Sequence, residues 1–403
     1  MPRMMLLTRA LAVVFAGVTL AAGASGSVES AQPRWVNMDL GTLQGWKDSQ
    51  AVGINPRGWI IGTCFRSESS TDAPRAFMWQ GEKPVDLGTL GGTLASASAI
   101  NGTGWIVGWS TTKRGVRHAF LWRNGRMSDL GTLPGYPNSS ASAVNDRGQV
   151  VGLAYVKTAS GRPVQRAAFL WQKGRMRSLG VLRGGRASEA VALNERGQIV
   201  GRSESGTRNK ESGALAWHAV LWQNGTTTDL GALPAFPESR ALDVNERGQV
   251  VGEVIYDSGG HVYDTAPFLW QRGKMTRLPA PPSTGDAEDA FASAIGDRGD
   301  VVGGWLDTEN GNEHALLWRS GRVTQLEPIQ GSSWATDVNS SGLVVGASAH
   351  AVVWDNLRLT DLGTLGGPAS HAVAVNDSGQ IAGTSDTADG REHAVLWTLR
   401  RGT

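Results

Sequence analysis

Ser140-Ala141-Ser142-Ala143-Val144-Asn145-Asp146-Arg147-Gly148-Gln149-Val150-Val151-Gly152 is one copy of a phrase that this chain repeats eight times. Its first five residues alternate small and apolar side chains, as a closely packed strand does. Asn145–Gly148 reads as a type I turn whose glycine takes the left-handed conformation and starts a bulge. Gln149–Gly152 then returns as a second strand. The same turn stands at Asn55, Asn101, Asn194, Asn245, Asn339 and Asn376, and one copy carries Gly296 in place of Asn. Four residues before each of these positions is an alanine: Ala51, Ala97, Ala141, Ala190, Ala241, Ala292, Ala335 and Ala372. Self-similarity at a period of roughly 37 to 51 residues means a solenoid or a propeller built from one supersecondary unit per copy.

The rest of the unit supplies two more strands. Ala168-Phe169-Leu170-Trp171 is the third, and a short turn at Gln172–Gly174 leads into a fourth over Met176–Gly180. The tryptophan closing the third strand recurs as Trp79, Trp122, Trp222, Trp270, Trp318, Trp354 and Trp397, a regularity that points to packing between units. The chain ends decide between solenoid and ring. A spare Asp39-Leu40-Gly41-Thr42-Leu43 precedes the first complete unit, and the last unit stops after Trp397 without that strand. An N-terminal strand that completes the final unit removes the open edges a solenoid must cap. The expected fold is therefore all-β, an eight-bladed propeller of four-stranded blades over residues 35–400, closed by the N-terminal strand.

Ahead of the repeats, Arg3 and Arg9 precede an apolar run from Ala10 to Ala22, which ends in a small-x-small site at Ala22-Gly23-Ala24. This reads as a signal peptide over 1–24, a short segment over 25–34, and a secreted or periplasmic destination. No later stretch is long enough to span a membrane. The single Cys64 excludes an intramolecular disulfide framework. A net charge of +2 without a Lys/Arg run gives no reason to expect nucleic acid as a partner. A monomer is expected.

Asp86-Leu87-Gly88-Thr89-Leu90-Gly91-Gly92, the Ala-x-x-Ile-Asn-x-x-Gly phrase and His118-Ala119-Phe120-Leu121-Trp122 together resemble the HAF family of extracellular repeats. The resemblance covers nearly all of the mature chain and implies a repeat fold without implying a chemistry. Units six and seven depart from it, with Leu278-Pro279 and Leu326-Glu327-Pro328 replacing Leu-Gly-Thr-Leu. Proline suits an outermost strand.

With the spare strand outermost, the Ala-rich strand lies nearest the axis. The Asn turns then share one face, and the variable connections share the other, which holds the long insertions at 157–166, 203–217, 256–265 and 281–289. Tyr136, Tyr155, Tyr256 and Tyr263 fall on or beside these loops, where rigid scaffolds concentrate binding. The residue before each recurrent alanine should ring the channel mouth: Gln50, Ser96, Ser140, Glu189, Arg240, Phe291, Trp334 and His371. Here the repeat identity breaks. Glu189, Arg240 and His371 offer an acid, a cation and a titratable base, and Trp334 a stacking surface, a group suited to an acidic sugar or peptide. His118, His218, His314, His350 and His393 share one repeat position on different blades and so cannot meet at a metal. His261 breaks the repeat and joins the binding candidates. The loops at 307–311 and 386–390 loosely resemble calcium loops but lack the Asp-x-Asp-x-Asp-Gly spacing, so no metal or cofactor is expected, calcium being the nearest candidate.

Three functions fit these residues. One is an exported binding module for a polysaccharide, a cell-surface glycan or an extracellular protein. The second is a polysaccharide lyase or glycosidase, with Arg240 neutralising a carboxylate, His371 or Tyr256 moving the proton, and Glu189 an alternative acid. The third is a purely structural surface repeat. Fold alone does not choose among them.

Overall fold

The computed structural model describes residues 34–66, 74–158, 163–210, 212–257, 263–281, 290–308 and 310–400. Its strands form eight four-stranded antiparallel sheets, with no helix among the described residues. Blade 3 shows the pattern: β10 (Asn138–Val144) innermost, then β11 (Val150–Lys157), β12 (Pro163–Gln172) and β13 (Arg175–Ser178) outermost. Blade 8 consists of β30 (Gly366–Val375), β31 (Ile381–Thr387) and β32 (Glu392–Arg400), and its outer strand is β1 (Arg34–Asp39).

The ring therefore closes as an eight-bladed propeller, but the closing strand lies earlier than Asp39–Leu43. β1 pairs with β32 from Arg34↔Arg400 to Asp39↔Val395. Pairing stops there because Gly41 adopts φ 67° and turns the chain away from the ladder. Leu40 and Leu43 instead enter the core between blades 8 and 1. Fourth strands elsewhere shift in the same way: β13 ends at Ser178, ahead of Leu179 and the left-handed Gly180.

The recurrent alanine and the second-strand glycine have one cause. Each inner strand carries a bulge just after the alanine, and the alanine lies opposite the glycine, as in Ala141↔Gly152. The bulge drives the preceding carbonyl against that glycine, so a Cβ on Gly152 would sit 2.1 Å from the Ser140 oxygen. Only glycine fits.

Between blades, eight apolar clusters form the core, and the eight strand-closing tryptophans are distributed one to each. Trp397 is fully buried, and Trp354 nearly so. In the two departing units, the main chain serves the next blade's indole: Pro279 and Glu327 carbonyls accept from Trp318 and Trp354 Nε1 at 2.7 and 2.9 Å.

The turn asparagines do more than shape their own turns. Asn55 Oδ1 accepts from the Arg57 and Trp59 amides, while its Nδ2 donates to the Asn101 carbonyl of the next blade at 3.0 Å. That bond repeats from Asn101 to Asn145, Asn145 to Asn194, Asn194 to Asn245, Asn245 to Gly296, and Asn339 to Asn376. Asn376 donates to the Asn55 carbonyl at 3.0 Å and completes the circle across 321 residues of sequence. One link is missing, at Gly296, which has no side chain.

Candidate functional site

The variable positions at the channel mouth resolve into cross-strand pairs. Ser96 faces Trp109 and Ser140 faces Leu153, small against large. Phe291 faces Gly304 and Trp334 faces Ala347, large against small. Glu189 faces Arg202, and Arg240 faces Glu253, one charge pair in each order. In these six blades the cross-strand neighbour compensates the variable position in size or in charge, so part of the break in identity follows from packing; Gln50 and His371, each facing a threonine, do not follow that pattern.

This pairing engages the candidate polar groups. Glu189 is clamped by Arg202 at 2.9 Å and by Arg166 of blade 3. Arg240 reaches Glu253 through Nε at 2.9 Å and Nη2 at 2.6 Å; the Glu253 side chain is 8 % exposed and that of Arg240 43 %. Gln50 donates to Glu392 of blade 8 at 2.7 Å. His371 is held below the usual histidine range chiefly by burial, against the upward pull of Glu392 and Asp386, so its ring is neutral at pH 7. His371 lies on blade 8 and Arg240 on blade 5. No hydrogen bond or ion pair joins them among the described residues.

Tyr155 is buried in the core, and this corrects its assignment to a ligand surface. Tyr136 and Tyr256 are half-buried, each packed against an inter-blade cluster. Trp334 is half-buried on the inner strand of blade 7. Tyr263 begins the third strand of blade 5, and His261 lies outside the described residues. No group of three or more His, Cys, Asp or Glu among the described residues is arranged to hold a metal ion.

The repeated histidines pair outward. His118, His218, His350 and His393 lie 2.9–3.0 Å from Asp129, Asp229, Asp361 and Asp39 on the neighbouring outer strand. Each of these aspartates also accepts the amide two residues on, as Asp129 does from Gly131 at 2.7 Å. Blades 3 and 5 lose both partners together, with Ala167 and Ser178, or Ala266 and Arg277, at these positions. His393 and Asp39 thus bond the closing strand to the last blade.

Single-sequence reading had no means of finding a third set of residues, because each combines parts distant in sequence or unrelated to the repeat. On the variable-loop half, Arg117 stacks over Trp109 at 3.9 Å, Arg202 over Trp217 at 4.6 Å and Arg66 over Trp46 at 5.1 Å. All three indoles are half-buried. Arg202 is the residue that Glu189 clamps, so this carboxylate fixes the cation that steadies Trp217.

No family model matches the chain, and no curated protein does. Among solved structures it is similar to the β-propeller domain of the Trilobed protease from Pyrococcus furiosus, at 10 % identity and a TM-score of 0.51, over 80 % of this chain and 98 % of that one. That domain is described as having an open velcro topology, whereas β1 closes the ring here. The chain also resembles a prolyl endopeptidase, at 10 % identity and a TM-score of 0.52, over 88 % of its own length and 50 % of the other's. For the Pyrococcus horikoshii acylaminoacyl peptidase the values are 11 %, 0.50, 86 % and 59 %. The chain thus spans about half the length of these two peptidases. At such identities the likeness concerns the propeller fold.

Proposed function

We propose that this protein is a binding module, exported by its N-terminal leader, that recognises glycans through the variable-loop face of the propeller. The observation that carries this reading is the set of half-buried tryptophans on that face, Trp46, Trp109 and Trp217, each held by a stacked arginine. Rigid indoles beside fixed guanidinium donors suit sugar rings and their acidic substituents, and they cost little ordering on binding. The lyase alternative draws less support, because Arg240 and Glu189 are engaged in ion pairs and His371 stands three blades from Arg240. A glycan array on the purified mature chain, combined with an ultraviolet-absorbance screen for unsaturated sugar products, tests the reading. Glycan binding without product is the expected result. Product formation would make the protein a lyase, and the absence of binding to any glycan would end the proposal.

A further inference from the structure

On the opposite face, a groove of about 460 Å³ opens between blades 3 and 4. Arg147, Arg177 and Arg196 line it together with Gln149, Gln172 and Trp222, and its lining contains no Asp or Glu. Its size is that of a small-ligand site. The three guanidinium groups have no hydrogen-bond or ion-pair partner among the described residues. Comparable turn arginines elsewhere are occupied: Arg247 and Arg298 donate to carbonyls of the next turn at 3.1 and 2.8 Å, and Arg57 stacks over Trp59 at 5.3 Å. The adjacent carboxylates face other groups, with Asp146 accepting the Thr103 amide at 3.2 Å and Glu195 the Asp146 amide at 2.8 Å.

Two departures from the repeat fall in this groove. Arg177 takes the register position that Ser128 holds in blade 2, and Ser178 takes that of Asp129. One change adds a cation and the other removes an anion. Trp222 contributes a second, independent feature, being 2 % exposed with an Nε1–H that has no hydrogen-bond partner. An unpaired buried donor is costly. Trp397 shares that lack, but the neighbouring blade 7 that packs against it retains the fourth-strand aspartate as Asp361, where blade 3 has Ser178 beside Trp222.

We propose that this inter-blade groove is a second binding site, one that takes a sugar unit carrying a carboxylate or sulfate. The arginines neutralise the anionic group, the glutamine amides meet ring hydroxyls, and Trp222 Nε1–H donates to a ligand oxygen. The site lies on the face opposite the Trp46, Trp109 and Trp217 stacks and goes beyond the variable-face reading.

Calorimetric titration of the full mature chain with digalacturonate, with a heparin-derived disaccharide and with inorganic sulfate tests it. At least one sugar should bind, more weakly as salt is raised, and at least tenfold tighter than inorganic sulfate. Arg177→Ser, which installs the blade 2 residue, should weaken that sugar about tenfold with an unchanged melting curve. In nitrogen-15 spectra the indole resonance that disappears in Trp222→Phe should shift on addition of the sugar. Trp217→Ala should leave this binding intact, so failure of the variable-face reading and failure of the groove are separable. The proposal is overturned if neither sugar binds, if inorganic sulfate binds as tightly as the sugar, or if Arg177→Ser binds like the parent.

Discussion

Gly296 is a gap in the asparagine ring, and filling it should stabilise the protein by a calculable amount. A Cβ built on Gly296 finds its nearest heavy atoms at 3.4 Å, and the residue is not among those with positive φ, so a side chain enters without strain. Its backbone already has the bonds of the other turns: Gly296 N donates to the Asp300 carbonyl, and the Gly299 amide donates to the Gly296 carbonyl, both at 2.9 Å. In Gly296→Asn, Nδ2 should reach the Asn339 carbonyl and Oδ1 should accept the Arg298 and Asp300 amides, following Asn245 in the preceding blade. Each such bond contributes about 1 kcal/mol net. Losing the glycine's unfolded-state freedom contributes about 0.4–1 kcal/mol. Ordering the asparagine side chain offsets up to about 1 kcal/mol. With three such bonds the net gain is about 2–4 kcal/mol. Gly296→Ala supplies the control, since it adds the Cβ and removes the glycine but makes no ring bond. Urea unfolding followed by tryptophan fluorescence should place the asparagine variant about 2–3 kcal/mol above the alanine variant. Equal midpoints for the two variants would refute the idea that the side-chain ring binds the blades together.

Removing residues 25–39 should open blade 8 and lower stability by several kcal/mol, because a whole strand and its packing are lost; a truncated chain melting like the parent would contradict closure by β1. The His393–Asp39 pair should make that closure pH-dependent. His393 is raised above its ordinary range, first by its hydrogen bond to Asp39, so its contribution is complete below about pH 6.5 and is lost as pH rises through the higher folded value. Asp39 is lowered, because the bonds from His393 and Gly41 together outweigh burial, the largest single influence; the contribution is thus also lost in acid, as pH falls through Asp39's depressed value. The melting difference between parent and His393→Gln should therefore be greater at pH 6 than at pH 9, and an unchanged difference would exclude the pair. Arg240→Ala leaves Glu253 without its partner and should cost about 1–3 kcal/mol, an effect larger than a solvent-facing arginine would produce. The double swap Arg240→Glu with Glu253→Arg copies the order of blade 4 and should recover most of that loss in a denaturant titration.

The repeat and its spare strand were enough to read the ring, the blade count and the closure, because each follows from periodicity and from counting strands at the chain ends. The register of closure was not legible: Asp-Leu-Gly looks like strand, and only the left-handed Gly41 shows that pairing has already ended at Asp39. The pairing of residues at the channel mouth was not legible, for a related reason. Glu189, Arg240 and Phe291 vary one at a time in sequence, but Arg202, Glu253 and Gly304, thirteen residues further on in each case, vary with them across the sheet. The asparagine ring was legible only as a set of turns, since the acceptor for each amide lies in the next blade. Arg177 and Ser178 did break the repeat visibly, yet their bearing on Arg196 and Trp222 required the packing of blade 3 against blade 4.

The most direct test of the functional account is the affinity of the mature chain for its best array glycan after single substitutions on the two faces. Trp109→Ala and Trp217→Ala remove indoles that stack with Arg117 and Arg202 on the variable-loop half, and Arg123→Ala removes the arginine stacked over Trp105 at 4.9 Å on the opposite half. Each tryptophan variant that remains folded should bind at least about tenfold more weakly, in line with the weight of aromatic anchors at binding surfaces, and Arg123→Ala should bind like the parent. Full affinity in both tryptophan variants would contradict the assignment of glycan recognition to the variable-loop face.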